Sequence, residues 1–231
     1  MKRRDKRKRV VKVAFLFDLD GTLVDTVYDH VSTWSTTLRQ ARLAVSDWEI
    51  HRHVGMNGAS MLRQVLHGRT SIDKIDIDAL EKKRDVLFTK INHPRQLPGA
   101  GELLAHLSNQ KIQWAIATTG NRKQTHRFLK TLKVPADIPI ITGDDVKHAK
   151  PAPDVFMEAA HRLHVQIENC LIVGDSIWDM IGATRMRALG VGLLSGGYGK
   201  EELLQAGAFR VYEDPMDMLR HIEDFGIMSD T

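Results

Sequence analysis

The spacing of apolar residues changes twice along the chain. Near the start, residues 10–17 read VVKVAFLF, a nearly continuous apolar run that predicts a short strand buried on both faces. A sharp turn is expected at residues 18–22. From about residue 27 to residue 95, apolar residues recur at near-helical spacing, and Pro and Gly residues cluster at 94–101. This second part is therefore predicted to be all-helical, with about four helices.

After Pro98 the pattern becomes an alternation of helices and strands. The predicted strands cover residues 112–118, 138–141, 170–173 and 191–194. The predicted helices cover residues 101–110, 122–132, 153–163, 178–188, 200–206 and 215–225. Strands that alternate with helices of this length indicate βαβ units, a parallel sheet and right-handed crossovers that place helices on both faces. The predicted fold class is therefore α/β, with a Rossmann-like parallel sheet core and an inserted all-helical domain.

These patterns give the predicted domain boundaries. Residues 1–11 form a basic tail, residues 12–24 and 97–231 form the α/β core, and residues 25–96 form the helical insertion. A chain of 231 residues is long enough for a core domain and a modest insertion.

Charge changes this picture only at the N-terminus. The chain carries a net charge of +4, but residues 1–12 contain eight Lys and Arg residues and a single Asp. The remainder is therefore slightly acidic, and the basic character belongs to the tail. We predict a solvated, disordered tail. The alternative, an arm that binds nucleic acid or another acidic surface, is the weaker interpretation because no aromatic residues or known binding module accompany the charges.

Composition also bears on the compartment. No apolar run approaches the roughly 18–20 residues needed to cross a bilayer, and no secretory signal is recognisable. The single cysteine, Cys170, excludes an internal disulfide. We therefore expect a cytoplasmic protein without a membrane partner.

Chemically useful residues follow the predicted strands. Asp18 and Asp20 end the first strand, and Thr118 ends the second. Lys150 follows the third strand, and the fourth ends at Gly174-Asp175-Ser176, one helical turn before Asp179. The carboxyl ends of parallel strands form the binding crevice of open α/β sheets, so these side chains are expected to converge.

A convergent cluster of carboxylates needs a cation, because each carboxylate raises the pKa of its neighbours. An all-oxygen set suits Mg²⁺, which prefers one or two carboxylates, water and substrate phosphate. A lysine adds a point charge for phosphate oxygens, and a hydroxyl at a strand end can bind an anion. The sequence therefore predicts a phosphoryl-transfer site, where positioning and charge neutralisation supply most of the catalysis.

Four motifs carry a family resemblance. The segment FDLDGTLVD at residues 17–25, Thr118, the segment KPAP at residues 150–153 and the segment GDSIWD at residues 174–179 occur in this order. Together they resemble the four motifs of the haloacid dehalogenase-like hydrolase superfamily, and the resemblance covers nearly the whole chain after the tail. It implies that the helical insertion is a cap that closes over the site and excludes water.

The resemblance also implies a role for each residue. Asp18 would be the nucleophile that forms an aspartyl-phosphate, and Asp20 the acid and base that protonates the leaving group and then activates water. Thr118 would bind the phosphoryl group, and Lys150 would stabilise its charge and that of Asp18. The Mg²⁺ ion would be held by Asp18, the backbone carbonyl of Asp20, and Asp175. Asp179 would support the metal site indirectly.

Asp20 separates the branches of this superfamily. Members that dehalogenate lack this second aspartate, and phosphonate-cleaving members also differ there, so a phosphatase is predicted. A sugar phosphomutase would keep every core residue and remains the alternative.

Substrate choice is expected to lie in the cap, in the segment of residues 50–58. Arg52, His53 and Gly55 are its candidate substrate-binding residues, although a plain interhelical turn explains the segment equally well. The expected substrate is a small phosphorylated metabolite of the sugar phosphate or phosphoglycolate type. A monomer is expected by default, because the cap must move.

Overall fold

The computed structural model describes residues 13–70, 74–90 and 95–227. The predicted basic tail of residues 1–11 lies outside the described residues. The strands are β1 Ala14–Phe17, β2 Gln113–Ala117, β3 Ile140–Ile141, β4 Cys170–Gly174, β5 Leu189–Leu193 and β6 Ala208–Tyr212. The α-helices are α1 Val27–Gln40, α2 Asp47–His51, α3 Gly58–Val65, α4 Ile77–Thr89, α5 Ala100–Asn109, α6 Arg122–Thr131, α7 Asp154–Leu163, α8 Ile177–Met186, α9 Lys200–Gln205 and α10 Pro215–Arg220.

The six strands form one parallel sheet in the order β3-β2-β1-β4-β5-β6. The predicted α/β class with a parallel sheet is confirmed. The order reverses direction beside β1, which pairs with β2 on one side and with β4 on the other. Phe17 is in register with Ile116 and with Val173, so the carboxyl ends of these three strands lie side by side. Such a reversal point is where open α/β sheets bind ligands.

The sixth strand corrects the sequence prediction, which placed only two short helices after residue 194. Strand β6 lies between α9 and α10 at the edge of the sheet and pairs with β5 through a register shift at Gly190 and Val191. Its burial alternates weakly, because Phe209 and Arg210 are both exposed. An edge strand with this composition lacks the apolar run by which the other strands are recognised.

Helices cover both faces of the sheet, as the period of two along each strand requires. Phe15 and Phe17 of β1 pack on one face, against α5, α6 and α10. Ala14 and Leu16 of the same strand pack on the other face, with Phe156 of α7 and neighbouring residues. Burial on both faces explains why β1 is continuously apolar.

Helices α1 to α4 enclose a separate apolar cluster. It includes Val31, Trp34 and Leu38 of α1, together with Ile50 of α2 and Leu62 of α3. These helices lie in the chain between β1 and α5, where the sequence predicted the insertion. Among the described residues, none of the helices is long and apolar enough to cross a membrane.

Candidate active site

A buried cluster of charges lies at the carboxyl ends of β1 and β4. Asp18 follows β1, Asp175 follows β4, and Asp179 lies in the first turn of α8; one carboxylate oxygen of each lies within 4.8 Å of the others. Lys150, from the segment before α7, reaches into the cluster and is fully buried. Its Nζ lies 2.6 Å from Asp18 Oδ1 and 2.8 Å from Asp179 Oδ1. The structure thus brings together four of the residues that the sequence singled out.

The cluster is electrostatically unbalanced. Burial raises the pKa of Asp18 to about 7 against the opposing pull of Lys150, and burial with Asp179 and Asp18 nearby raises the pKa of Asp175 well above its usual range. Burial alone would lower the pKa of Lys150, but Asp179 and Asp18 raise it above its ordinary value, so this lysine stays charged. Three carboxylates against one ammonium leave an excess of negative charge in a buried site.

The donor set fits a hard divalent cation. Asp18 forms its ion pair with Lys150 through Oδ1 at 2.6 Å, and Asp175 Oδ1 accepts a hydrogen bond from Thr22 Oγ1 at 2.8 Å. The excess negative charge of the three carboxylates favours a cation among them. An all-oxygen site with one or two carboxylates is typical of Mg²⁺.

Asp179 is already engaged on both oxygens. Its Oδ1 pairs with Lys150, and its Oδ2 accepts hydrogen bonds from the backbone N–H and the hydroxyl of Ser176, at 3.1 and 2.6 Å. These contacts form a capping box at the start of α8. They favour the expected indirect role, in which Asp179 orients Lys150 and the loop that carries Asp175.

Gly196 is packed directly against the carboxylate of Asp175. A Cβ atom at Gly196 would lie 1.8 Å from Asp175 Oδ2. We expect Gly196→Ala to displace this carboxylate and to raise the Mg²⁺ concentration for half-maximal activity by about tenfold or more. A Mg²⁺ titration of the purified variant measures this. Gly199→Ala is the matched control, since its nearest neighbour is a flexible Glu202 oxygen at 3.4 Å. Equal Mg²⁺ dependence in the two variants would contradict the prediction.

Asp20 lies beside the cluster and is held by its own set of donors, which the sequence analysis did not identify. Asp20 Oδ1 accepts hydrogen bonds from Thr26 Oγ1 at 2.6 Å and from His30 Nε2 at 2.9 Å. Arg84 of α4 in turn hydrogen bonds to His30 Nδ1. A guanidinium can only donate, so Nδ1 accepts and the ring proton resides on Nε2, where it is donated to Asp20.

These donors set the charge of Asp20. Burial by itself would raise the pKa of this carboxyl, but His30 and Thr26 together with the Arg84 charge hold it below its usual value. Burial also lowers the pKa of His30, which favours its neutral form. Asp20 is therefore a carboxylate in this arrangement, a form suited to accept a proton. In the sequence, His30 could have been noticed as a polar residue one turn into α1, where Tyr28 and Val31 flank the Asp29-His30 pair.

Thr118 lies at the end of β2 and is almost fully buried. Its Oγ1 accepts a hydrogen bond from the backbone N–H of Gly120 at 3.0 Å, which leaves the hydroxyl hydrogen free to donate. Thr118 and Asp18 line the same cavity, so this donor can serve an anion bound beside Asp18.

A cavity of about 280 Å³ extends from these residues to helices α1, α3 and α4. Asp18, Asp20 and Thr118 line its core end, and Trp34, Met61, Glu81 and Arg84 line its far end. The cavity therefore lies between the sheet and the helical segment, in the position expected for a cap.

Two of the three candidate substrate-binding residues of the cap, His53 and Gly55, line this cavity. Gly55 has φ +102°, and a Cβ atom there would lie 2.9 Å from Ser176 Oγ, so its backbone packs tightly on the loop after β4. Its carbonyl oxygen also accepts a hydrogen bond from Thr119 Oγ1 at 3.0 Å.

Arg52 corrects the third expectation. Its guanidinium pairs with Glu202 at 2.8 Å and lies 4.2 Å from the ring centre of Tyr198, and Arg52 is not among the described residues that line the cavity. Its carbonyl oxygen accepts hydrogen bonds from Tyr198 and Trp178, at 2.7 and 3.1 Å. Arg52 thus anchors the helical segment to the core. Its neighbour His53 faces the cavity because the short turn after α2 points successive side chains in different directions.

A buried carboxylate paired with a lysine, within a cluster of carboxylates beside a cavity, is the arrangement expected of a hydrolase that acts on anionic groups. Comparison with known proteins gives the family. Residues 15–191 match the family "Haloacid dehalogenase-like hydrolase", and the chain belongs to it. The family match and the phosphatase relatives confirm the predicted superfamily and the predicted enzyme class, a phosphoric monoester hydrolase.

Three similar proteins illustrate the relationship. "Hexitol phosphatase A" of Escherichia coli (strain K12) is 33% identical over 70% of this chain and 74% of its own length. "Beta-phosphoglucomutase" of Bacillus subtilis (strain 168) is 28% identical over 78% of this chain and 83% of its own length. The crystal structure of a hydrolase from Pseudomonas syringae superposes with a TM-score of 0.87 and 42% sequence identity. The match covers 92% of this chain and 98% of that chain.

Proposed function

We propose that this protein is a Mg²⁺-dependent phosphatase that hydrolyses small phosphorylated metabolites of the sugar phosphate or phosphoglycolate type through an aspartyl-phosphate intermediate. The observation that carries the proposal is the contact of Lys150 Nζ with Asp18 Oδ1 at 2.6 Å, within a cluster that has more carboxylates than cations. A lysine at this distance lowers the pKa of Asp18 against the burial that raises it to about 7, and so favours the ionised form that can attack.

The reaction follows from the positions of these side chains. Asp18 attacks the phosphorus atom, and the bond to the leaving oxygen breaks as the acyl-phosphate bond forms. Lys150 and the Thr118 hydroxyl stabilise the phosphoryl oxygens. Bound Mg²⁺, held by Asp18, Asp175 and the backbone carbonyl of Asp20, would neutralise the charge of the carboxylates and of the phosphate. Mg²⁺ and the roles of these residues are part of the proposal.

Asp20 serves both halves of the reaction. Asp20, a carboxylate in this arrangement, takes up a proton from solvent on Oδ2 and passes it to the leaving oxygen, which departs as an alcohol. The carboxylate that this restores then takes a proton from the water that hydrolyses the intermediate. His30 and Thr26 hold Oδ1 and thereby aim the other oxygen, Oδ2. The lowered pKa of Asp20 favours the base form that the second half requires.

A screen of phosphorylated metabolites tests this function. The purified protein is expected to release inorganic phosphate from p-nitrophenyl phosphate and from at least one sugar or polyol phosphate when Mg²⁺ is present, and to lose the activity in EDTA. The similarity to a hexitol phosphatase supports the inclusion of hexitol phosphates in the panel. Phosphate release that does not depend on a divalent cation would contradict the proposal.

A sugar phosphomutase is the second candidate, favoured by the similarity to a protein named beta-phosphoglucomutase. It would use the same nucleophile but return the phosphoryl group to the sugar. Product analysis separates the two functions, because a phosphatase yields free phosphate and a mutase yields an isomeric sugar phosphate.

The third expectation, nucleic-acid binding through the basic tail, concerns residues outside those described. We propose a cytoplasmic location and a monomeric state as defaults.

A further inference from the structure

The far end of the cavity contains two carboxylates in very different settings. Asp85 of α4 is fully partnered: it accepts hydrogen bonds from Gln124 Nε2 at 2.7 Å, from Arg84 Nη1 at 3.2 Å and from Asn121 Nδ2 at 3.2 Å. Its charge is therefore offset by the Arg84 guanidinium. This group ties α4 to the start of α6, and so connects the helical segment to the core.

Glu81, one turn earlier on α4, has no direct ion pair of this kind among the described residues, although the nearby Arg84 charge partly opposes the rise of its pKa. It lines the cavity and is about half-buried, and within the described part of the chain no Lys or Arg forms an ion pair with it. Its carboxylate accepts a hydrogen bond from the backbone N–H of Ala59, at the start of α3, and burial raises its pKa. One backbone donor leaves most of the hydrogen-bonding capacity of a carboxylate unused.

The neighbours of Glu81 complete a recognisable pattern. Trp34 lies close by, since a Cβ atom at Gly58 would lie 2.4 Å from Glu81 Oε1 and 2.8 Å from Trp34 Cζ2. Met56 and Met61 add apolar surface to the same end of the cavity. An acceptor-only group beside an indole and two thioethers can accept hydrogen bonds from hydroxyl groups while the apolar surface contacts C–H groups.

We propose that Glu81 is a specificity-determining residue that selects a neutral, hydroxyl-rich leaving group, a sugar or polyol, and disfavours esters whose organic part carries a carboxylate. This inference rests on the proposed phosphatase function and narrows it. With the phosphoryl group bound at Asp18 and Thr118, the organic part would occupy the rest of the cavity, which Glu81 lines. The Glu81 carboxylate would accept hydrogen bonds from hydroxyl groups there, whereas a substrate carboxylate would meet a like charge that no direct ion pair offsets.

A purely structural role for Glu81 is the competing explanation, because the carboxylate caps the N-terminus of α3 through Ala59. Glu81→Gln separates the two roles. The amide oxygen still accepts the hydrogen bond from Ala59, so α3 keeps its cap, but the charge is removed and one acceptor becomes a donor. The specificity role predicts a change in substrate preference, and the structural role predicts none.

The experiment measures kcat/KM with Mg²⁺ for a hexitol 6-phosphate and for phosphoglycolate, in the wild-type protein, Glu81→Gln and Asp78→Asn. Asp78 is an exposed carboxylate on the same helix that does not line the cavity, so it is the matched acid-to-amide control. We expect the wild type to prefer the hexitol ester, and Glu81→Gln to reduce that preference by roughly tenfold or more, the value of a hydrogen bond to a charged group. Asp78→Asn should keep the preference.

The outcomes separate this inference from the proposed function. If the wild type hydrolyses neither these esters nor p-nitrophenyl phosphate, the phosphatase function itself is wrong. If it is an active phosphatase but prefers phosphoglycolate, the assignment of Glu81 is overturned. The same holds if the preference changes by less than twofold in Glu81→Gln, or changes equally in Asp78→Asn. Thermal unfolding of each variant verifies that the folds are comparable.

Discussion

Asp18→Asn is expected to abolish phosphate release, with kcat reduced by at least about 10⁴-fold. An amide oxygen is a poor nucleophile and cannot form the acyl-phosphate, and residues that act as a catalytic unit show losses of this size when one is removed. Hydrolysis of p-nitrophenyl phosphate in the presence of Mg²⁺ measures the effect. Retained turnover would exclude covalent catalysis by Asp18.

The loss of activity in Asp18→Asn should not reflect a loss of fold. Burial favours the uncharged form of this side chain, whose pKa is raised to about 7, and Asn is uncharged at every pH. Without Mg²⁺, the variant should therefore be at least as stable as the wild type in urea denaturation. Asp137→Asn, at an exposed position before β3, is the matched control and should keep wild-type activity.

Among the substitutions proposed here, Lys150→Ala is expected to reduce the free energy of unfolding the most. The ammonium group is completely buried and pairs with both Asp18 and Asp179, so its removal leaves three clustered carboxylates without their cation. Loss of one partner from a buried ion pair typically costs about 3–5 kcal/mol. Urea denaturation in EDTA, followed by tryptophan fluorescence, measures the free energy of unfolding.

Two conditions should reduce this cost. Mg²⁺ should restore part of the lost stability, because a cation bound by Asp18 and Asp175 replaces some of the missing charge. The cost should also be smaller at pH 5 than at pH 8, since Asp18 and Asp175, whose pKa values are raised, take up protons as the pH falls. Lys123→Ala, on the exposed surface of α6, is the control. If the difference in free energy of unfolding between Lys150→Ala and wild type depends on neither Mg²⁺ nor pH, the carboxylate cluster is not its cause.

The contacts between the helical segment and the core have no signature in the sequence. His51 Nε2 hydrogen bonds to the carbonyl oxygen of Gly196 at 2.8 Å, across 145 positions of the chain. Gly196 in turn packs on Asp175, the expected metal ligand. Neither residue belongs to a motif, and they are close because the helical segment packs on the loop after β5.

The sheet and the central cluster could be predicted because both arise from local patterns. A strand buried on both faces must be apolar throughout, as in β1, and the residues that follow parallel strands must meet at one edge. That rule was sufficient to predict that Asp18, Lys150 and Asp175 converge. It failed for β6, because an edge strand that is exposed to solvent does not need an apolar run.

By itself, the sequence determined the α/β class, the position of the helical segment and the residues of the charged cluster. Only the tertiary structure decided which side chains surround that cluster. It placed His30 and Arg84 behind Asp20, paired Arg52 with Glu202 outside the cavity lining, and left Glu81 without a direct ion-pair partner among the described residues. The physical reason is that periodicity fixes which face of an element is buried, whereas the partners of a polar side chain depend on how separate elements pack together.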